Sequence, residues 1–365
     1  MVEGIQSPVQ LLPWLVQGRD LFLFIHLLGI VCFAYIVAKR LVPLLRAERD
    51  FRFDQPLARL GRVLKFWFGQ WKHPRYKTAG TIHILLFAGF ILLVIRAFTV
   101  LIVGVSYDFV MPGFSGRTGH LYEVITDYAA TVVFLCMVVA IVRRTVFKPA
   151  RYEVPPRYGK AHKADAIFLL ALIAVLMVAD SIFEAAKAAG QAQPGQVEFA
   201  AVWSLPWMLK MVFVSTSLPT LGSLYFGGYL LHEVAFYFLL CYRPFGIQFH
   251  VETSLFNIYF AKLDRDALKP VKWGVSDAQL DQVKSFGVKT FEDFTWKHML
   301  DFYSCADCGR CSDNCPANAV GRSLSPRFIT IKARDYAFQH YPMFGNSGNA
   351  QPLIGSIYSE DEIWS

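Results

Sequence analysis

The sequence predicts an all-α membrane protein: five transmembrane helices followed by a small α-helical module in the aqueous phase. Three observations predict it. The chain of 365 residues is 55% hydrophobic with a positive mean hydropathy, too apolar for a soluble two-domain protein. Its apolar residues fall in blocks that match the roughly 20 helical residues needed to cross a bilayer core. After residue 262 those blocks shorten and charged residues rise.

The five blocks are Leu21–Ala38, Ala79–Val103, Leu121–Val142, Asp165–Ala185 and Ser223–Tyr242. A sixth stretch, Ala200–Leu218, is interrupted by Pro206, Lys210 and Pro219 and reads as an interfacial or re-entrant helix. The first block lacks a basic leader and a small-residue cleavage site, so no cleavable signal is expected. The net charge of +8 follows the membrane and does not mark a nucleic-acid binder. Eleven Lys and Arg lie from Lys39 to Lys77 and seven from Arg143 to Lys163. The opposite loops hold only Arg117 in 105–119, and Lys187 with Lys210 in 186–220. The positive-inside rule then puts the N-terminus outside the cytoplasmic (inner) membrane and everything after Tyr242 in the cytoplasm. The basic stretch 44–78 suits anionic lipid, with an acidic partner as the alternative.

A boundary near Lys262 divides a membrane domain, 1–262, from a cytoplasmic module, 263–365. Residues 263–304 carry helical periodicity, Pro326–Tyr341 reads as a helix, and 345–351 is rich in Gly, Asn and Pro. Between the two helical stretches lie Cys305, Cys308, Cys311 and Cys315, followed at once by Pro316. This is the C-x₂-C-x₂-C-x₃-C-P run that holds a [4Fe–4S] cluster. Tetrahedral zinc sites more often split their ligands into two separated pairs. The run falls in the reducing compartment, where thiolates persist as metal ligands instead of disulfides. Cys32, Cys136 and Cys241 sit singly in spans and read as small apolar residues. The module is therefore ferredoxin-like, and its fusion to a membrane domain suggests a path for electrons between a soluble donor and the lipid phase.

Ionisable side chains inside spans are costly and usually functional, and histidine is the usual axial ligand when a bundle binds haem. His83 lies in the second span, His232 in the fifth, and His250 follows it. Eighteen residues separate His232 from His250, five helical turns, so a continuous helix sets both imidazoles on one side about 27 Å apart. Pro244 and Gly246 are expected to bend that helix, which makes the distance an upper bound. Arg96, deep in the second span, needs an anion: a haem propionate, or Asp180 or Glu184, ahead of a quinone. Asp127, Lys210 and Glu233 are weaker candidates for carrying protons. His73, His162, His298 and His340 read as ordinary loop or surface residues.

These residues carry a resemblance. The membrane part resembles the cytochrome b (gamma) subunit of respiratory nitrate reductase. The whole resembles membrane-bound iron–sulfur oxidoreductases related to heterodisulfide reductase, some of which pass electrons between electron-transfer flavoprotein and menaquinone. It rests on the His83 span, the His232/His250 pair, R-P-F-G after the last span, and C-A-D-C-G-R-C-S-D-N-C-P-A with S-L-S-P behind it. The resemblance implies a five-helix haem-binding bundle with one or two b-type haems. His83 and His250 would ligate the inner haem, and His232 would be one ligand of the outer haem. The gamma subunit carries a second histidine ten residues after the first, and here that position is Leu93. The outer haem then needs His120, at the outer end of the third span, or alternatively His26 in the first.

Two-cluster ferredoxin modules cross-ligate, the last cysteine of each run serving the other cluster, and this chain has one run. In the resembled family a second run follows a stretch much like E-D-E-I-W-S, with which this sequence ends. The remaining cysteines are expected from a partner or a further C-terminal segment, as in a fragment, a split gene or a UGA selenocysteine codon read as a stop. Otherwise Cys315 closes a lone cluster locally. The expected function is electron transfer between a cytoplasmic partner, by resemblance electron-transfer flavoprotein, and the membrane quinone pool. The alternative is a membrane anchor subunit of a heterodisulfide-reductase-like complex without quinone chemistry of its own.

Overall fold

The computed structural model describes residues 11–107, 109–158, 162–190, 200–263, 279, 282 and 287–365. Among the described residues there is no strand, only isolated backbone bridges. Five helices are long and apolar enough to cross a membrane: Arg19–Arg46, Lys77–Val103, Gly116–Phe147, Lys163–Gly190 and Leu218–Phe245. At 1.5 Å per residue the shortest, of 27 residues, runs about 40 Å, more than the ~30 Å hydrocarbon core. Each expected span lies inside one of them.

In chain order the helices are α1 (Leu12–Gln17), α2 (Arg19–Arg46), α3 (Pro56–Arg62), α4 (Lys77–Val103), α5 (Gly116–Val142), α6 (Lys163–Gly190) and α7 (Leu205–Phe213). They continue with α8 (Leu218–Tyr242), α9 (His250–Tyr259), α10 (Trp296–Tyr303), α11 (Arg310–Asp313), α12 (Pro316–Ala319), α13 (Pro326–His340) and α14 (Glu360–Trp364). A wider, π-type stretch, Val63–Phe68, prolongs α3. The interrupted sixth stretch yields only α7, nine residues long and too short to span. Pro206 sits in its first turn, where no intrahelical donor is lost, and the Ser204 hydroxyl caps it by accepting from the Trp207 amide.

The chain forms two compact units. One comprises Met1–Phe33, His73–Phe147 and Ala166–Cys241. Its core gathers Leu15, Phe22, Val100, Phe183, Tyr225 and Tyr229. Phe183 stacks on Tyr225 at 4.6 Å, and Phe22 meets Tyr229 edge-on at 4.6 Å. Gly29 in α2 makes room for the Tyr237 ring, which a Cβ there would approach to 2.1 Å.

The other unit comprises Ala34–Lys72, Lys148–Asp165 and Tyr242–Ser365. The unit that carries the cysteine run thus draws on Ala34–Lys72, Lys148–Asp165 and the residues from Tyr242 onward, all of which begin before residue 262. Its core gathers Phe249, Phe291, Met299, Tyr303, Ala333 and Leu353. Reciprocal caps start two of its helices: Thr295 with His298 on α10, and Ser359 with Glu362 on α14. The expected helix at Pro326–Tyr341 is α13. Residues 264–278, part of the stretch read as helical before the cysteines, lie outside the described residues.

One expectation fails. The helix does not run on from His232 to His250: α8 ends at Tyr242, a short 3₁₀ turn follows over Arg243–Phe245, and Gly246 is extended (φ −147°, ψ −156°). A second 3₁₀ turn leads to α9, which starts at His250 itself. Pro244 has no amide hydrogen to continue the ladder. A Cβ at Gly246 would stand 2.5 Å from the Asp165 carboxylate. The chain breaks here instead of bending, and the five-turn register between the two histidines is lost.

Candidate electron-transfer sites

The cysteine loop begins where α10 stops. Cys305 follows that helix, and its amide donates to the Phe302 carbonyl at 3.3 Å. Two left-handed residues, Asp307 (φ 52°) and Gly309 (φ 75°), then turn the chain around Cys308. Cys311 lies in the single turn of α11. Cys315 caps α12, with Pro316 at the first helical position. Cys311 is exposed and the other three are half-buried. Burial pushes the Cys305 thiol up to about 11. Iron takes the thiolate, so binding there must displace a proton.

Two buried arginines of α13, seven residues or two turns apart, fasten this loop. Arg327 pairs with Asp307 at 2.5 Å and donates to the carbonyls of Arg151 and Glu153 at 2.8 and 2.9 Å. Arg334 donates to the Cys305 carbonyl at 3.2 Å and to Asp335 at 3.1 Å. His162 closes the group at 2.9 Å from Asp335. Burial alone would raise the Asp335 carboxyl, but the His162 hydrogen bond and the Arg334 charge hold it below its usual range. Among the described residues no three His, Cys, Asp or Glu side chains gather as they would around one metal ion. A cubane sets its four thiolates wider apart than a single ion does.

Sequence reasoning passed over Arg327, Arg334 and Asp307. The available signal was two arginines at helical spacing on the apolar face of α13, where Phe328 and Ile331 are also buried. His162 is likewise no ordinary loop residue, and His340 is buried, with Glu292 2.8 Å from its Nε2.

In the membrane-length helices, His232 sets Nδ1 3.0 Å from Glu233, a fully buried carboxylate. The other oxygen of Glu233 lies 3.4 Å from Nδ1 of His26. The structure thus brings His26 and His232 to one acid. His250, at the start of α9, has Nδ1 2.7 Å from the Ile247 carbonyl. A histidine that commits Nδ1 to an acceptor has its tautomer fixed with Nε2 available for a metal. Burial lowers the His250 pKa despite that bond. His83 stacks face to face on His73, with ring centroids 4.0 Å apart, so His73 is also more than a loop residue. No macrocycle fits between those two rings. His120 lies half-buried near the start of α5.

Arg96 has its anions. It meets Asp127 at 2.9 Å, Asp180 at 3.0 Å and Glu184 at 3.7 Å, and Lys187 holds Glu184 at 2.9 Å. Asp180 and Glu184 were the expected acids, and Asp127 joins them. Arg96 is thus engaged by three carboxylates, one of which it shares with Lys187.

Five membrane-length helices and a cysteine run of cluster spacing define the class: a membrane-associated iron–sulfur protein of electron transport. Comparison with known proteins agrees. The chain is 26% identical, over 96% of its length, to a probable iron-sulfur-binding oxidoreductase FadF of Bacillus subtilis, of which the match covers 52%. It is 25% identical, over 90% of its length, to the EtfAB:quinone oxidoreductase of Syntrophomonas wolfei, of which 45% is covered. It is 29% identical over 36% of its length to a probable membrane-anchored ferredoxin of Chromohalobacter salexigens, of which 19% is covered. No family model matches the chain, and no solved structure does. The chain is therefore related to membrane-associated iron–sulfur oxidoreductases such as EtfAB:quinone oxidoreductase, and spans about half the length of the first two relatives.

Proposed function

We propose that the chain carries electrons between a cytoplasmic donor of the electron-transfer flavoprotein kind and membrane menaquinone. The route is a [4Fe–4S] cluster on Cys305, Cys308, Cys311 and Cys315 and b-type haem in the helical bundle. The observation that carries this reading is the cluster-spaced run, with one exposed cysteine, in a chain of membrane-length helices that hold buried histidines. Bound there, the cluster and haem supply one-electron steps that the side chains cannot make themselves.

The chain's own residues position and insulate. Asp307 and Gly309 wrap the loop, Arg327 and Arg334 hold it, and exposed Cys311 marks the edge a soluble donor reaches. His83 and His250 would hold the inner haem, and His232 the outer. For the ligand opposite His232 we take His120 over His26. Glu233 reaches Nδ1 of both His26 and His232, and one carboxylate cannot do that around the rim of a macrocycle lying between them. Glu233 instead suits the part of the acid that orients His232. The N-terminus is assigned outside and the cysteine loop to the cytoplasm, on the distribution of Lys and Arg alone.

The test is the purified full chain with iron, sulfide and haem quantified, beside the His83→Ala/His250→Ala variant. Loss of the inner haem's b-type absorption with retention of the cluster's electron paramagnetic signal is expected. Full haem in the double variant would falsify the ligand assignment. Similarity to a membrane-anchored ferredoxin favours a second reading, a membrane anchor for the iron–sulfur module. A parent chain that contains iron and sulfide but no haem would establish that reading instead.

A further inference from the structure

We infer that α3 and its continuation through Phe68 form an interfacial element that lies in the anionic lipid surface, not a docking face for a protein. Thirteen continuous helical residues, Pro56–Phe68, present an apolar stripe of Leu57, Leu60, Leu64 and Phe68, and all four are exposed. Steps of three, four and four residues put them on one side of the helix. Leu57 is 82% exposed and the nearby Trp71 62%. Such a run on water is unfavourable and marks a surface that something apolar covers.

The opposite side is already occupied. Arg59 is buried, donates to the carbonyls of Tyr259 and Ala261 at 3.1 and 2.9 Å and pairs with Asp54 at 2.5 Å. Trp67 donates to the Ser254 hydroxyl at 3.2 Å. The helix is thus fixed on α9 by one edge, and its leucine edge faces away from these contacts.

Charge and connectivity name the occupant. From Leu57 to Lys77 the sequence has six Lys and Arg and no Asp or Glu. Lys65 and Lys72 are exposed, and both lie over aromatic rings, Lys65 at 5.1 Å from Trp71 and Lys72 at 5.3 Å from Phe66. Aromatic rings carrying basic groups are the usual furniture of the headgroup layer. The helix is also tethered to the bilayer at both ends. It starts ten residues after α2 ends, and α4 starts nine residues after Phe68, a reach of at most about 36 Å. α2 leaves the bilayer and α4 enters it on the same face, so this element cannot stray far from that leaflet. Leucine side chains among acyl chains, with Lys65 and Lys72 at lipid phosphates, satisfy both the stripe and the charge.

The inference is independent of the redox reading, and its test reads lipid alone. An environment-sensitive fluorescent amino acid is placed at position 64, 68 or, as control, 349 of the full chain. The chain is reconstituted in nanodiscs of phosphatidylglycerol and phosphatidylcholine with or without brominated acyl chains. Quenching of roughly twofold or more at 64 and 68, and none at 349, is expected for side chains within the acyl boundary. In a second arm, Lys65→Gln/Lys72→Gln should lower phosphatidylglycerol retained per purified chain by about threefold, with phosphatidylethanolamine unchanged. Circular dichroism and iron content matching the parent show that these variants fold. Quenching at 64 and 68 no greater than at 349 overturns the inference. So does shielding from water that arises only when a soluble protein or a second copy is added.

Discussion

Replacing Arg327 by Met tests whether the cysteine loop is held from α13. The substitution keeps the aliphatic stem and removes a guanidinium that is 4% exposed. It leaves the Asp307 carboxylate, 9% exposed, without its partner at 2.5 Å, and takes a donor from the Arg151 and Glu153 carbonyls. Breaking a buried pair from one side costs about 3–5 kcal/mol. Since about 1.4 kcal/mol is a factor of ten, the closed loop becomes at least about a hundredfold less favoured. Iron and acid-labile sulfide per chain should fall well below the parent value, and the urea midpoint with them. Arg327→Met/Asp307→Asn leaves no unpaired charge, keeps a residue type that tolerates the left-handed backbone at 307, and should recover part of the loss. A single variant with full iron and an unchanged midpoint would refute the idea that this pair organises the loop.

Two further outcomes follow from the same unit. Because Asp335 is held below its usual range, its contribution to stability is fully present above the unfolded carboxyl value of about 3.9 and is lost as pH falls through the lower folded value. Asp335→Asn should flatten the acid limb of a urea-midpoint-against-pH curve below about pH 4, and an unchanged limb would contradict the assignment. Gly309→Ala should destabilise the loop by more than the roughly 1 kcal/mol of a left-handed alanine, since its Cβ would meet the Arg151 carbonyl oxygen at 2.7 Å. Gly321→Ala, also left-handed (φ 79°) but with open space around it, gives the conformational cost alone, and equal losses at both sites would remove the steric part of the reasoning.

Features that depend only on neighbouring residues can be read from the amino-acid order. Crossing a bilayer is a matter of contiguous apolar length, so all five long helices are legible, and the prolines and Lys210 separate the sixth stretch from them. The cysteine spacing is local too, and so is the start of α13 at Pro326. Even the break near Pro244 announced itself, although composition showed only a bend where the chain stops one helix and begins another at His250. Which side chains meet across the chain emerges from the packing alone. Asp127 and Asp180 reach Arg96 from helices 31 and 84 residues away. His73 comes onto His83, and Glu233 gathers both His26 and His232. Arg327 ties the cysteine loop to backbone 174 and 176 residues upstream. Such pairings depend on how helices pack and on which buried charge finds a counter-charge, and neither is encoded in any short window of sequence.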